Sequence, residues 1–384
     1  MDFNKPPYHF SMKTQRNRRN TIQSPAKPNV PPATLPEMDT GIWSQLPEEL
    51  LVLILSFLPL KIFLNLRSTC KQFKSLIYSP SFVSKHSDSS SFPSFLLLSH
   101  SQCYHHFPLY DSAIGNWRNL SVSPSVVSLL SSSTGLLCFS LPSPSSFLIC
   151  NLLANSSRVI EFPAFPFTFE LLSLVSTPFG YYIFMLCSRS SSSSTYVYDS
   201  RVHTWRKYAG FEPILCDNYN QEGVFFKGCL YFTTPEPFSV VCFDFETGKW
   251  RRSETELPVG LTFARLVGDG EGKLYLIGGI GRNGISRSMK IWELGEERKW
   301  VEMERLPELM CQKFVSVCYH NYHHVYCFWH KGLICICCYT WPEILYFKLS
   351  RGTWHWLPKC PSLPEKWSCG FRWFSFVPEL YALV

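Results

Sequence analysis

Hydrophobic positions along the chain fall into two regimes that change near residue 80. Upstream of it they cluster in short helical segments. Leu46-Pro47-Glu48-Glu49 opens the first, with proline at an N1-like position and two carboxylates in the first turn, where the helix dipole favours them. The run Leu50-Leu51-Val52-Leu53-Ile54-Leu55 follows, and Pro59 ends it. Leu60 to Leu66 predicts a second helix. Ser68 or Thr69 is placed to cap a third, Cys70 to Ile77, stopped before Pro80. The first helix is apolar almost all round, whereas a surface helix buries one stripe and wets the other. So short a unit cannot hide every one of those leucines by itself. Part of the helix is therefore expected to lie against another protein or against the domain that follows.

Beyond residue 80 the pattern becomes short apolar strands separated by turns. An apolar strand, a polar or acidic residue, a turn and then Trp recur as Leu109-Tyr110-Asp111 with Trp117, Val197-Tyr198-Asp199 with Trp205, and Cys242-Phe243-Asp244 with Trp250. The Asp-to-Trp spacing is six in all three. Looser copies end at Trp300 and Trp354, and Ile149-Cys150-Asn151 begins a degenerate copy without the Trp. A second element, a strand after Gly, precedes each, as in Gly135-Leu136-Leu137-Cys138-Phe139 and Gly228-Cys229-Leu230-Tyr231-Phe232. From Trp205 the tryptophans are 45, 50 and 54 residues apart, while Trp117 to Trp205 is 88, two units spanning the degenerate copy.

That period suits a four-stranded antiparallel sheet with its turns. One such sheet cannot bury both faces, but a ring of them can. The fold class expected is mainly β with a small α module, a β-propeller of six blades in preference to seven. Strands around Phe371 to Val377 are expected to pair with Phe95 to Leu98, which closes the ring and removes exposed edges. The chain divides into a basic, Pro-rich, disordered leader (1–40), a helical module (41–85) and the propeller (90–384). Ser87 to Ser94 and Ser188 to Ser194 read as exposed loops.

Composition refines this picture. Aromatic residues are 16% of the chain, which favours pleated sheet, and charged residues only 17%. Of the net charge of +7, the first 38 residues carry +4, from six basic residues against Asp2 and Glu37. Such a tail is a solvated leader, an RNA-binding tail or a weak import signal, and the first is preferred. Sixteen cysteines are scattered, often at apolar strand positions, and no apolar signal segment precedes them, so buried thiols in a reducing compartment are expected. The longest apolar run, Leu50 to Leu58, is half a membrane span.

Constellations for chemistry are weak. Gly279-Ile280-Gly281-Arg282-Asn283-Gly284 fits a dinucleotide fingerprint, but the strand-like Met289-Lys290-Ile291-Trp292-Glu293 follows where a helix is required. Cys335, Cys337 and Cys338 with nearby histidines alternate along apparent strands, which argues for buried cysteines over zinc. No cofactor, metal or catalytic residue is expected. The repeated tryptophans are assigned to packing between blades.

The stretches Leu46-Pro47-Glu48-Glu49-Leu50, Ile54-Leu55-Ser56-Phe57-Leu58-Pro59 and Arg67-Ser68-Thr69-Cys70-Lys71-Gln72-Phe73 resemble the F-box motif, with Phe73 where Trp is usual. The Ile42-Trp43-Ser44-Gln45 lead-in resembles the plant F-box/kelch-repeat group, and the worn repeats, with a double glycine only at Gly278-Gly279, resemble kelch units. The resemblance implies a non-enzymatic substrate receptor of a Skp1-cullin-F-box ubiquitin ligase, in the nucleus or cytoplasm, with an unknown protein target and neither membrane nor specific nucleic acid as partner. Carried over by position, Leu46, Pro47, Leu50, Leu51, Ile54, Leu58, Pro59, Cys70 and Lys71 would meet the Skp1 adaptor, which leads to the cullin and RING subunits. Target loops would include Ser140 to Ser146, Ser188 to Ser194, Thr233 to Pro237, Gly281 to Gly284 and His330-Lys331. Arg282, Asn283, His330 and Lys331 are the candidate target contacts, Arg282 and Lys331 favouring an acidic patch. A binding scaffold without a ligase role, and a propeller enzyme, are the competing readings.

Overall fold

The computed structural model describes residues 11–13 and the chain from residue 45 onward, except 59–61, 63–64, 67–68, 77–78, 80, 83–84, 86–93, 104–105, 123–125, 144–145, 163–168, 190–191, 212–220, 364–365 and 367. The chain forms two units, residues 16–92 and the remainder. In the smaller unit, helix α1 (Glu48–Ser56) begins on Pro47, whose carbonyl accepts the N–H groups of Leu50 and Leu51 at 3.1 Å. Pro47 is thus the cap rather than the first helical residue. Helical backbone at Ile62, Asn65 and Leu66 marks the second expected helix. Helix α2 (Lys71–Leu76) is not capped by Thr69, whose hydroxyl donates backward to the Leu66 carbonyl. Instead the Cys70 sulfur accepts the Phe73 N–H at 3.4 Å.

The larger unit is six sheets in a ring. Each blade has four strands, lettered a to d from the axis outward. Blade 2 runs Ser128–Ser133, Leu136–Ser140, Ser146–Asn151 and Ser156–Glu161, and blades 3 to 6 repeat this order from Leu171, Val224, Leu261 and Val325. Blade 1 takes strand a from the far end of the chain. Arg372–Phe376 pairs antiparallel with Phe95–Ser99, Phe95 opposite Phe376 and Leu98 opposite Trp373, which is the expected closure. At the outer edge of blade 1, Ser11–Lys13 of the leader pairs with Asn119–Ser121, so these three residues depart from the expected disorder.

Every blade is sandwiched between two others, and this explains the continuous apolar runs. Side chains alternate across a strand. Leu137 and Phe139 therefore enter the core shared with blade 1, while Leu136 and Cys138 enter that shared with blade 3. Six such cores, one per interface, close the ring. The repeated tryptophans pack where expected. Trp205 lies against Phe162 of the blade 2 side at 5.1 Å between ring centres and donates its indole N–H to the Glu161 carbonyl at 2.9 Å. Trp250 likewise reaches back to Phe184 and to the Thr195 hydroxyl in blade 3.

The Asp six positions before Trp117, Trp205 and Trp250 builds the turn. Asp244 accepts the N–H groups of Glu246 at 2.9 Å and Thr247 at 3.1 Å, and pairs with Arg251. Asp111 does the same with Ala113, Ile114 and Arg118. In the degenerate copy, Asn151 keeps the turn through its Oδ1, which accepts from Leu153 and Ala154. Its Nδ2 is used differently. It donates to the carbonyls of Glu379 at 2.8 Å, Leu380 at 3.2 Å and Ala382 at 2.9 Å, and so fastens the chain's last residues across blade 2. The tail passes so near Gly135 (φ 76°) that a Cβ there would stand 2.6 Å from Ala382.

The serine stretch Ser188 to Ser194 differs from expectation. It is largely strand, a hairpin with Ser188 opposite Ser193 and Arg189 opposite Ser192. The stretch 87–93 lies outside the described residues. The glycine-rich Gly279 to Gly284 spans the end of strand b (Leu274–Arg282) and its turn in blade 5, with strand c (Ile285–Leu294) next, as the sequence argued against a nucleotide loop.

Asn151→Asp is expected to lower stability by about 2–4 kcal/mol, because a carboxylate cannot donate and would face three carbonyl oxygens. The converse Asp244→Asn keeps its turn acceptor and loses only an ion pair with an exposed Arg251, costing below about 1 kcal/mol. Denaturant unfolding of the two variants measures the contrast, and equal losses would refute the tail-latch assignment.

Candidate interaction surfaces

Helix α1 divides its apolar residues between two stripes. Val52, Leu55 and Ser56 are buried, spaced i, i+3, i+4. Leu50, Leu53, Ile54 and Phe57, spaced i, i+3, i+4, i+7, remain open, with Leu50 48%, Ile54 40% and Phe57 70% exposed. Of the expected adaptor contacts, Pro47, Leu50, Ile54, Cys70 and Lys71 are exposed, while Leu46, Leu51 and Leu58 are half-buried. Pro59 lies outside the described residues. Phe57 and Leu53 were not among those contacts. The interlocked helical spacings of the two stripes are the signal that finds them.

On the propeller, strand alternation assigns each loop to one end of the ring. Turns joining a to b and c to d emerge at one end, and those joining b to c and d to the next a at the other. Arg282 and Asn283 occupy a b–c turn, whereas Lys331 occupies the a–b turn of blade 6. They therefore lie at opposite ends and form no common acidic-target patch. His330 is not a surface residue either. It is fully buried, its Nδ1 2.9 Å from the Ser375 hydroxyl and its Nε2 3.1 Å from that of Ser112. Burial, with Lys331 adding to it, pushes its pKa down to about 4, so the neutral ring serves as a rivet between blades 6 and 1.

The axis carries polar chemistry that the sequence did not point to. The segment Gln221–Gly223, just before strand a of blade 4, reaches several other blades. The Gln221 amide donates to the carbonyls of Cys327 at 3.0 Å and Leu266 at 3.3 Å and accepts the Cys327 N–H at 2.8 Å. Glu222 accepts from the Ser131 hydroxyl at 2.8 Å, and the Gly223 N–H donates to the Ser173 hydroxyl at 2.9 Å. Blades 2, 3, 5 and 6 are thus tied through three consecutive residues. Beside them, a cavity of about 140 Å³ is lined by Glu222, Ser132, Trp329 and Arg372. The residue Glu222 is partly accessible, but its Oε1 is sealed from solvent and lacks a hydrogen-bond partner. Burial pushes this carboxyl up to about 7, opposed by Arg372 and the Ser131 hydroxyl. Arg265, also buried, donates to the carbonyls of Ala264, Tyr322 and Val325, stitching blade 5 to blade 6.

A larger groove, about 570 Å³, opens at the b–c end between blades 4 and 5. One wall is the b–c turn of blade 4 and the other the connection from blade 4 to blade 5. Among the described residues, no group of three His, Cys, Asp or Glu side chains could hold a metal ion, and no helix is long and apolar enough to cross a membrane. Cys335, Cys337 and Cys338 are buried along one strand, where desolvation raises all three thiols.

Comparisons with known proteins agree with this architecture. Residues 43–85 match the F-box domain model. An F-box/kelch-repeat protein of Arabidopsis thaliana is 56% identical over 363 residues, 90% of each chain. The Arabidopsis proteins F-box only protein 6 and UNUSUAL FLORAL ORGANS are 27% and 24% identical, covering 77% and 84% of this chain and 65% and 80% of their own.

The axial carboxyl makes stability depend on pH. An unfolded Glu releases its proton near 4.5 and Glu222 in the fold near 7, so between these values only the folded state keeps the proton. Stability therefore falls as pH rises through this window. Glu222→Gln keeps an acceptor for Ser131 and is expected to stabilise the protein by about 1–3 kcal/mol near pH 8 and not below about pH 4.5. Thermal unfolding at both pH values measures this, and a pH-independent difference would contradict it.

Proposed function

The chain belongs to the F-box/kelch-repeat family, and from that premise we propose that it is the substrate-recognition subunit of a Skp1-cullin-F-box ubiquitin ligase. Its helical module docks on a Skp1-type adaptor, which brings the cullin and RING subunits, and its propeller holds a protein target. The protein itself performs no bond chemistry in this role. The observation that carries the reading is the exposed stripe Leu50, Leu53, Ile54 and Phe57 on a helix that has already buried its other stripe. Four large apolar side chains left open on one short helix are the mark of a protein contact. Their burial at about 25 cal/mol per Å² supplies the drive for docking.

Co-purification with a Skp1 adaptor tests this. Leu50→Ala, Ile54→Ala and Phe57→Ala combined are expected to weaken retention by about 100-fold or more, as truncation of a clustered hot spot does. Because these side chains are exposed, thermal unfolding of the variant should match the wild type, whereas Leu55→Ala should unfold the module itself. Wild-type protein that does not retain the adaptor, or a triple variant that retains it fully, would leave the propeller as a binding scaffold without a ligase role.

A further inference from the structure

The groove between blades 4 and 5 combines three features. Its lining mixes polar and apolar groups, with Phe238, Leu257 and Leu261 half-buried among them and Val259 beside it 93% exposed. Its rim carries Glu236, Glu254 and Glu256, all exposed. None of the three makes an ion pair among the described residues, unlike Glu293, Glu302 and Glu343, which are held by Lys273, Lys290 and Lys313. On a chain of net charge +7, three carboxylates thus stand without an ion pair around one groove, Glu236 on one wall and Glu254 and Glu256 on the other. Arg252, on the adjoining strand, keeps its charge near this wall, donating to the Ser239 hydroxyl at 3.0 Å and lying over the Phe211 ring without pairing with any of the three carboxylates.

The walls are also preformed. Thr234 and Ser239 clamp the turn of blade 4, the Ser239 N–H donating to the Thr234 hydroxyl at 2.8 Å and the Thr234 N–H to the Ser239 carbonyl at 2.9 Å. The facing connection is anchored at both ends. The Ser253 N–H donates to the Val240 carbonyl at 2.8 Å, and the Gly260 carbonyl accepts the Gly281 N–H at 2.9 Å. A site ordered in advance spends little entropy on receiving its ligand.

We propose that this groove is where the protein target docks, through an extended basic segment bearing an apolar anchor. The anchor lies in the trough between Phe238 and Leu257, and its flanking Lys or Arg residues face Glu236, Glu254 and Glu256. The assignment rests on the substrate-receptor reading for the word target, and it reverses the acidic partner that Arg282 and Lys331 implied. Those two cations stand at opposite ends of the ring, whereas the three carboxylates share one rim. Charge complementarity around an apolar centre sets both the encounter rate and the discrimination against acidic segments.

The probes are fluorescein-labelled synthetic peptides titrated into the full-length protein and followed by anisotropy. One carries Leu and Phe between Lys and Arg residues, a second replaces every Lys and Arg by Glu, and a third replaces Leu and Phe by Ser. The first is expected to bind at least about 10-fold more tightly than either other, with affinity falling as salt rises. Glu236→Gln, Glu254→Gln and Glu256→Gln together should weaken it by about 10-fold and flatten the salt dependence, with unchanged thermal unfolding. Val259→Ser should weaken it without changing the salt dependence. Equal binding of the basic and acidic peptides, or a triple variant that binds as the wild type does, overturns the proposal. So does tighter peptide binding after Arg16→Gln, Arg18→Gln and Arg19→Gln, since the chain's own leader would then be the occupant. Adaptor retention is read at the helical module and peptide binding at the propeller, so either result can fail while the other stands.

Discussion

The antiparallel pairing of Phe95–Ser99 with Arg372–Phe376 is the constraint on which the molecule depends. Each blade is apolar on both faces, and a row of such sheets would leave two greasy faces and two strand edges open to water. Placing the last strand inside the first blade turns the row into a ring, in which every apolar face meets another. The cost is the entropy of closing a loop of nearly the whole propeller, which rises only slowly with length. The closure is secured on both sides. His330 bridges Ser375 and Ser112 across the junction of blades 6 and 1, and Asn151 holds the tail that runs on from the closing strand. These two residues carry no surface function, yet their side chains join parts of the chain more than 200 positions apart.

The axis adds a second level of organisation. Strands a of the six blades converge there. Gln221, Glu222 and Gly223 make hydrogen bonds to four other blades. Such a polar centre is costly where any member lacks a partner, and Glu222 shows that cost as a raised pKa. Arg265 bears it too, burial pushing its guanidinium down to about 10 although its donors are given to three carbonyls. Interior specificity thus comes from a few polar residues, while cohesion comes from the six apolar interfaces.

Function follows from what this arrangement leaves free. The ring buries its inner strands and leaves the outer strands, turns and connections at the surface. The groove between blades 4 and 5 is made of two such segments, and the helical module leaves open the stripe Leu50, Leu53, Ile54 and Phe57. Two separate surfaces result, an apolar stripe on the helical module and an acid-rimmed groove on the propeller.

Much of this was legible in the chain itself. The Asp-to-Trp period, the continuous apolar strands and the matching first and last strands determined a six-bladed ring, because alternation, turn chemistry and the need to cover both faces are local rules acting on local sequence. The over-apolar first helix likewise foretold more apolar surface than the module buries, and Leu50, Leu53, Ile54 and Phe57 are left open. What only the tertiary structure decided were properties that combine distant residues. His330 looked like a loop contact until its ring was found between two serines of another blade, and Arg282 and Lys331 looked like neighbours in function until strand direction separated them. Gln221 and Glu222, and the rim of Glu236, Glu254 and Glu256, carried no motif. Their roles arise where the closed ring brings separate turns and strands together, and the charge, burial and spacing that define them exist only after closure.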